Sequence, residues 1–158
     1  MNTKKTKGFA LVEIIIGFSV ISIGILSIIY SYLVYIKYSL ANNRNTEAVY
    51  ILEEGVEAIT FIRDKGWDQN ISTLSTTTTY YLIFENSTWA TTTATQYIDS
   101  IFLRSFAVSD VNRDVDDRIS DFGVYDPGTK KITVSVFYFQ GHGTTTKSIS
   151  TYISDIND

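Results

Sequence analysis

Gly8-Phe9-Ala10-Leu11-Val12-Glu13-Ile14-Ile15-Ile16-Gly17-Phe18-Ser19-Val20-Ile21 decides how this chain is read. Lys4, Lys5 and Lys7 precede it, and behind it the apolar run continues to Ile36. A cleaved secretory signal carries an apolar region of about 7–15 residues and ends in a small-x-small site. The run from Phe9 is much longer, and no such site closes it. About 20 residues span the hydrocarbon of a bilayer, so residues 9–36 are expected to form a transmembrane helix. Lysines ahead of such a helix stay in the cytoplasm, which puts the N-terminus inside and the body outside. One carboxylate, Glu13, interrupts the apolar run. An acidic group at the centre of a membrane helix costs about 2.5–3.5 kcal/mol, and less near the interface. Glu13 is therefore a candidate functional residue that needs a partner.

Past Lys37 the composition turns polar but the helical period persists. Ala48, Leu52, Val56 and Ile59 fall on one side, joined by Ile51, Gly55 and Ile62, at the 3–4 spacing of an amphipathic helix. Glu47, Glu53, Glu54 and Glu57 fall mostly on the other; Glu53, Glu54 and Glu57 are read as a solvated face rather than as catalytic carboxylates or metal ligands. Arg63 and Lys65 complement the dipole at the C-terminal end, and Gly66 is a natural cap. Residues 37–66 thus continue the helix. One helix from Phe9 to Lys65 would be roughly 85 Å long at 1.5 Å per residue. No proline interrupts it, and Asn42-Asn43-Arg44-Asn45 is its weakest stretch, since Asn is a poor helix former.

Residues 67–158 read as a globular, β-rich head. The threonine-rich tracts Ser72–Thr79 and Thr88–Thr95 are expected as loops or exposed edge strands around a strand at Tyr80–Phe84. Ile98–Val108 reads as a second strand. Asp126-Pro127-Gly128 signals a turn, after which Ile132, Val134, Val136 and Tyr138 alternate with Thr133, Ser135 and Phe137 as a third. Gly141-His142-Gly143 turns into a last strand, Thr144–Ile153. His142, the only histidine, is read as a turn residue. Strands following a helix without βαβ alternation indicate an α+β fold. The long helix is expected to lay the apolar side of residues 48–62 on an antiparallel sheet of about four strands.

Composition narrows the chemistry. There is no cysteine, hence no disulfide, thiolate metal site or Cys nucleophile. The net charge of -4 argues against a general nucleic-acid binder. No nucleophile–base pair assembles by motif and no phosphate-binding glycine loop is present, so no catalytic residue, cofactor or enzyme activity is expected. Asp110 to Asp121 opens D-x-N-x-D-x-D like a calcium loop. However, Val115 stands where the sharp turn takes glycine, and Asp121 replaces the longer bidentate Glu. An Asp-rich turn between strands accounts for it without metal, with Ca²⁺ held as the alternative. Asn70-Ile71-Ser72 and Asn86-Ser87-Thr88 match the glycosylation sequon.

Lys7-Gly8-Phe9 followed by Leu11-Val12-Glu13 resembles the class III signal of type IV pilins and type II secretion pseudopilins. The resemblance covers about 20 residues, and a looser likeness to minor pilins extends over Leu52–Ala58, Ile62–Asp64 and Trp67. It implies a cleaved leader over 1–8, cut between Gly8 and Phe9 by a membrane aspartyl peptidase that then N-methylates Phe9. It also implies a pilin-like fold, and Glu13 as the glutamate that pairs with the Phe9 ammonium of a neighbouring subunit during assembly. The partners would be other pilin subunits, the prepilin peptidase and an inner-membrane assembly platform. The location would be the cytoplasmic membrane and then a surface or periplasmic filament. Some pseudopilins bind calcium in the C-terminal region, which keeps Asp110–Asp121 in view. Many pilins close a C-terminal loop with a disulfide, which this chain cannot do. The aromatic body favours a minor over a major subunit. The alternative of another class is a membrane-anchored ligand-binding head, with Tyr80, Tyr81 and Trp89 stacking on sugars or bases.

Overall fold

A run of 59 residues free of proline forms one α-helix, α1 (Thr6–Asp64). The computed structural model describes residues 6–140 and 143–156, with side chains from residue 11 onward. Two compact units divide the chain, Met1–Asn43 and Arg44–Asp158. In the first, the described residues are all helical. The helix passes through Asn42-Asn43-Arg44-Asn45 without a break. The backbone turns at Gly66, whose φ of 150° suits a residue without Cβ. Its N–H donates to the Arg63 carbonyl at 2.9 Å, and the Asn70 side-chain amide donates to the Gly66 carbonyl at 2.9 Å. A short helix, α2 (Trp67–Asn70), follows.

The second unit is the α+β arrangement expected, the end of the long helix packed on an antiparallel sheet. Its strands are β1 (Thr79–Glu85), β2 (Thr88–Thr92), β3 (Tyr97–Ile98), β4 (Phe102–Arg113), β5 (Ile119–Ser120), β6 (Val124–Gln140) and β7 (Gly143–Ser154). The order is β2-β1-β4-β6-β7, with β3 and β5 also pairing β4. Along β6, Ile132, Val134, Val136 and Tyr138 are buried at every second position, and Phe102, Phe106 and Val108 do the same along β4. Period-two burial is what a sheet covered on one face requires. The cover is α1, through Ala48, Ile51, Leu52, Ala58, Ile59 and Ile62. Gly55 lies at the closest approach. A Cβ there would come within 2.9 Å of Val134 Cγ1 and 3.0 Å of Arg104 Cδ. Tyr80 stacks on Phe106 at 5.5 Å, and Phe102 meets Tyr138 at 5.3 Å.

The sheet corrects three expectations and decides between the two readings of a fourth stretch. It has seven strands rather than about four: two of the extra ones have only two residues each, and the third is the threonine-rich edge Thr88–Thr92. Thr88–Thr92 is a paired edge strand, as one of the two readings of that tract allowed, and it hairpins with β1 through Asn86 and Ser87, both at positive φ. Ile98–Val108 is not one strand: Asp99 and Ser100, also at positive φ, turn the chain between β3 and β4. Asp126-Pro127-Gly128 makes no connection between strands. It lies within β6 as a bulge, since Asp110 pairs with Lys130 while its neighbour Val111 pairs with Asp126. The turn chemistry is retained inside the bulge, where the Gly128 N–H donates to Asp126 Oδ1 at 2.9 Å. His142 and Gly141 lie outside the described residues.

Candidate functional site

The first unit supplies the candidate surface. From Leu11 to Leu33 its large apolar side chains stand open, Ile14, Phe18 and Ile28 by more than 70 %, while Val34 and Ile36 are half-buried. Among the described residues this is one helix long and apolar enough to cross a membrane. Polar groups in it are handled internally. Ser19, Ser22 and Ser27 donate to the carbonyls of Ile15, Phe18 and Ile23 at 2.8 Å, and Ser31 donates to Ser27 at 2.9 Å. A hydroxyl bonded to its own helix needs no water, which suits a hydrocarbon environment. Gly17 and Gly24 have nothing within 4 Å of where a Cβ would sit. Glu13 is exposed among these groups. Gly8 and Phe9 fall within the helical backbone of α1, and their side chains lie outside those described.

The Asp-rich stretch is a hairpin organised by arginine. Asp110 to Arg113 end β4, and Ile119-Ser120 return as β5. Arg113 Nε donates to Asp126 Oδ2 at 2.6 Å, Nη1 to the Asp117 carbonyl at 2.9 Å, and Nη2 to Thr129 Oγ1 at 3.1 Å. These contacts tie the hairpin tip to the β6 bulge. The hydrogen bond from Arg113 holds the Asp126 carboxyl below its ordinary value, and the same bond raises the guanidinium. Asp114 Oδ1 accepts the N–H groups of Asp116 and Arg118 at 2.9 Å, an Asx-type turn. Asp110 Oδ1 accepts the buried Lys130 ammonium at 2.5 Å. Burial disfavours that charge, but bonds to Asp110 and Tyr125 outweigh it and raise its pKa. Asp116 Oδ2 accepts Arg118 Nη1 at 3.1 Å, so Asp110, Asp114 and Asp116 face separate cations and amides. Among the described residues no group of three or more His, Cys, Asp or Glu converges as a metal site.

The other singled-out residues are placed as follows. Glu53, Glu54 and Glu57 are exposed. Tyr80 and Trp89 pack against the core, and Trp89 meets Phe84 at 5.1 Å. The Asn70 amide is committed to the end of α1, whereas Asn86 is an exposed hairpin-tip residue. One residue escaped the sequence reading: Arg104, only 4 % exposed. Its guanidinium donates from Nη1 to Glu54 Oε2 at 2.9 Å and to the Ile51 carbonyl at 3.2 Å, and it lies 5.1 Å from the Trp89 ring. Its Nε has no hydrogen-bond partner among the described residues. Burial lowers its pKa, opposed by Glu54. The available signal was its place in the buried alternation Phe102-x-Arg104-x-Phe106.

Comparison with protein-family models, with curated proteins and with solved structures found no match.

Proposed function

We propose that this chain is a structural subunit of a type IV pilus or a type II secretion-type pseudopilus, and a minor rather than a major one. The observation that carries it is the register of Lys7, Gly8, Phe9 and Glu13 at the head of an apolar helix whose side chains stand open from Leu11 onward. A plain anchor needs the helix but not the carboxylate. A filament subunit needs both. The α+β fold, with the later part of the same helix packed on an antiparallel sheet, supports this.

In this proposal the subunit waits in the cytoplasmic membrane with its N-terminus inside. Prepilin peptidase cuts after Gly8 and N-methylates Phe9. The cut creates an ammonium, which is charge-complementary to Glu13 of the next subunit. Two unit charges 4 Å apart attract by about 4 kcal/mol at an effective dielectric of 20. A subunit out of register leaves its carboxylate buried and unpaired, which is strongly unfavourable. The contact is heterologous, one subunit's Phe9 against another's Glu13, so repetition generates an open helical filament. The exposed apolar helices then exchange lipid for one another, and the assembled subunits form a surface or periplasmic filament.

The test is the intact mass and N-terminal sequence of the protein from membranes containing active prepilin peptidase. A start at N-methylated Phe9 is expected. A start at Met1 beside an active peptidase would refute the proposal.

A further inference from the structure

We infer that Tyr30, Tyr32, Tyr35 and Tyr38 form a belt that sits in the phospholipid headgroup layer and sets the depth of the helix in the membrane. This rests on the membrane-anchored precursor proposed above. From Leu11 to Ile29 the sole aromatic residue is Phe18, and then four of the nine residues 30–38 are tyrosine. All four are exposed, by 61–72 %. At 100° per residue they spread over roughly 200° of the helix circumference. A helix that packs against one neighbour offers a stripe about 100° wide, so a single protein contact would leave part of this set uncovered. A layer that surrounds the helix takes all four. Tyrosine has an apolar ring and a polar hydroxyl, and it is enriched at the membrane–water boundary for that reason. Lys37 lies within the same segment, and its long stem lets the ammonium reach lipid phosphates.

The belt moves the boundary. Apolarity alone ends the anchor at Ile36, whereas the belt ends the hydrocarbon at Ile29. Counting back about 20 residues from Tyr30 puts the inner boundary near residue 10. The Gly8–Phe9 bond then lies in the cytoplasmic headgroup layer. Glu13 lies about three residues, roughly 4.5 Å, beneath it, where a carboxylate costs less than at the centre. A boundary at Ile36 would put the inner edge near residue 16 by the same count. That would strand Leu11, Val12, Ile14 and Ile15 in the polar layer.

The absence of cysteine makes the test direct. In the full chain, Gly17→Cys, Val20→Cys, Ile23→Cys, Leu26→Cys, Ile29→Cys, Leu33→Cys and Ile36→Cys each give a single site for a bimane label. The labelled proteins are reconstituted in phosphatidylethanolamine–phosphatidylglycerol vesicles containing lipids brominated near the chain ends. Quenching should peak at Val20→Cys and fall about threefold by Leu33→Cys. Adding Tyr30→Leu, Tyr32→Leu, Tyr35→Leu and Tyr38→Leu together should move the peak about three residues outward, to Ile23→Cys. A peak at Leu26→Cys in the native background, or one that the four leucines leave unmoved, overturns the belt. No quenching at any position overturns the membrane anchor itself, so the two failures are distinguishable.

Discussion

Removing Glu54 should destabilise the head more than removing the buried arginine it faces. Arg104 is almost fully enclosed, and Glu54 is half exposed. Glu54→Ala therefore leaves a guanidinium in the core with the Ile51 carbonyl as its remaining acceptor. Losing one partner of a buried pair costs about 3–5 kcal/mol. Here the exposed position of Glu54 admits water to part of the site, which brings the expected cost to about 2 kcal/mol, in the range for a hydrogen bond to a charged group. Arg104→Met removes the charge together with its need for a partner and retains an unbranched chain beside Gly55. Glu54 then rehydrates and the Ile51 carbonyl keeps its helical bond, so the cost should be below about 1 kcal/mol. The double variant should match Arg104→Met, giving a coupling of about 2 kcal/mol between the two positions. The assay is thermal and urea unfolding of the full chain in detergent, followed by near-ultraviolet circular dichroism. A loss of 2 kcal/mol lowers the midpoint by roughly 6–12 °C for a unit of this size. Arg104→Met costing as much as Glu54→Ala would refute the asymmetry, and with it the view that the pair is a buried charge held by an exposed one.

Gly55→Val should lower the urea midpoint of the same unit. Its Cβ meets Val134 Cγ1 at 2.9 Å, and overpacking of about 1–3 kcal/mol exceeds any gain in helix propensity. A raised midpoint would mean that the helix can lift from the sheet at no cost. Asp126 has a lowered carboxyl pKa because Arg113 and Thr129 bond it. Its contribution to stability is complete above the ordinary value of 3.8 and is lost as pH falls through its lower folded value. Acid unfolding of Asp126→Asn should therefore be flatter in that window than that of the native chain, and superimposable slopes would exclude the linkage. Glu13→Ala should be processed normally by prepilin peptidase yet enter filaments at least about tenfold less efficiently, a change worth about 1.4 kcal/mol. Incorporation at the native level, measured by immunoblot of sheared filaments, would remove the register role.

Much of the head was legible because its strands obey one rule. Residues 132–138 alternate strictly, and the sheet buries the same residues that the pattern selects. The helix between Ala48 and Ile62 was legible for the corresponding reason, since its apolar positions recur at 3 and 4. The short strands were not. Tyr97-Ile98 and Ile119-Ser120 each have two residues, a single period of a strand, in which no alternation can repeat. Pro127-Gly128 was misplaced because turn residues state a local dihedral preference and not whether the partner strand resumes afterwards. Here it does resume, and the turn becomes a bulge.

Arg104 and Glu13 pose opposite versions of one problem. Each is a single charge in an apolar pattern, and by sequence each breaks the rule of its element. Arg104 lies in the interior of a unit that supplies a carboxylate, a helix carbonyl and an aromatic face, so most of its cost is met within the chain. Glu13 lies on a helix face that the described residues of its own unit leave open. An apolar surface with a carboxylate in it is fully accommodated by neither water nor hydrocarbon alone. Water penalises the roughly 25 cal/mol per Å² of apolar area, and hydrocarbon penalises the charge. A surrounding of like helices that also brings a cation meets both demands. In the proposed filament, the ammonium that cleavage before Phe9 would create is a cation that another copy could deliver at that depth. On that proposal, the second subunit answers the unmet charge of the first.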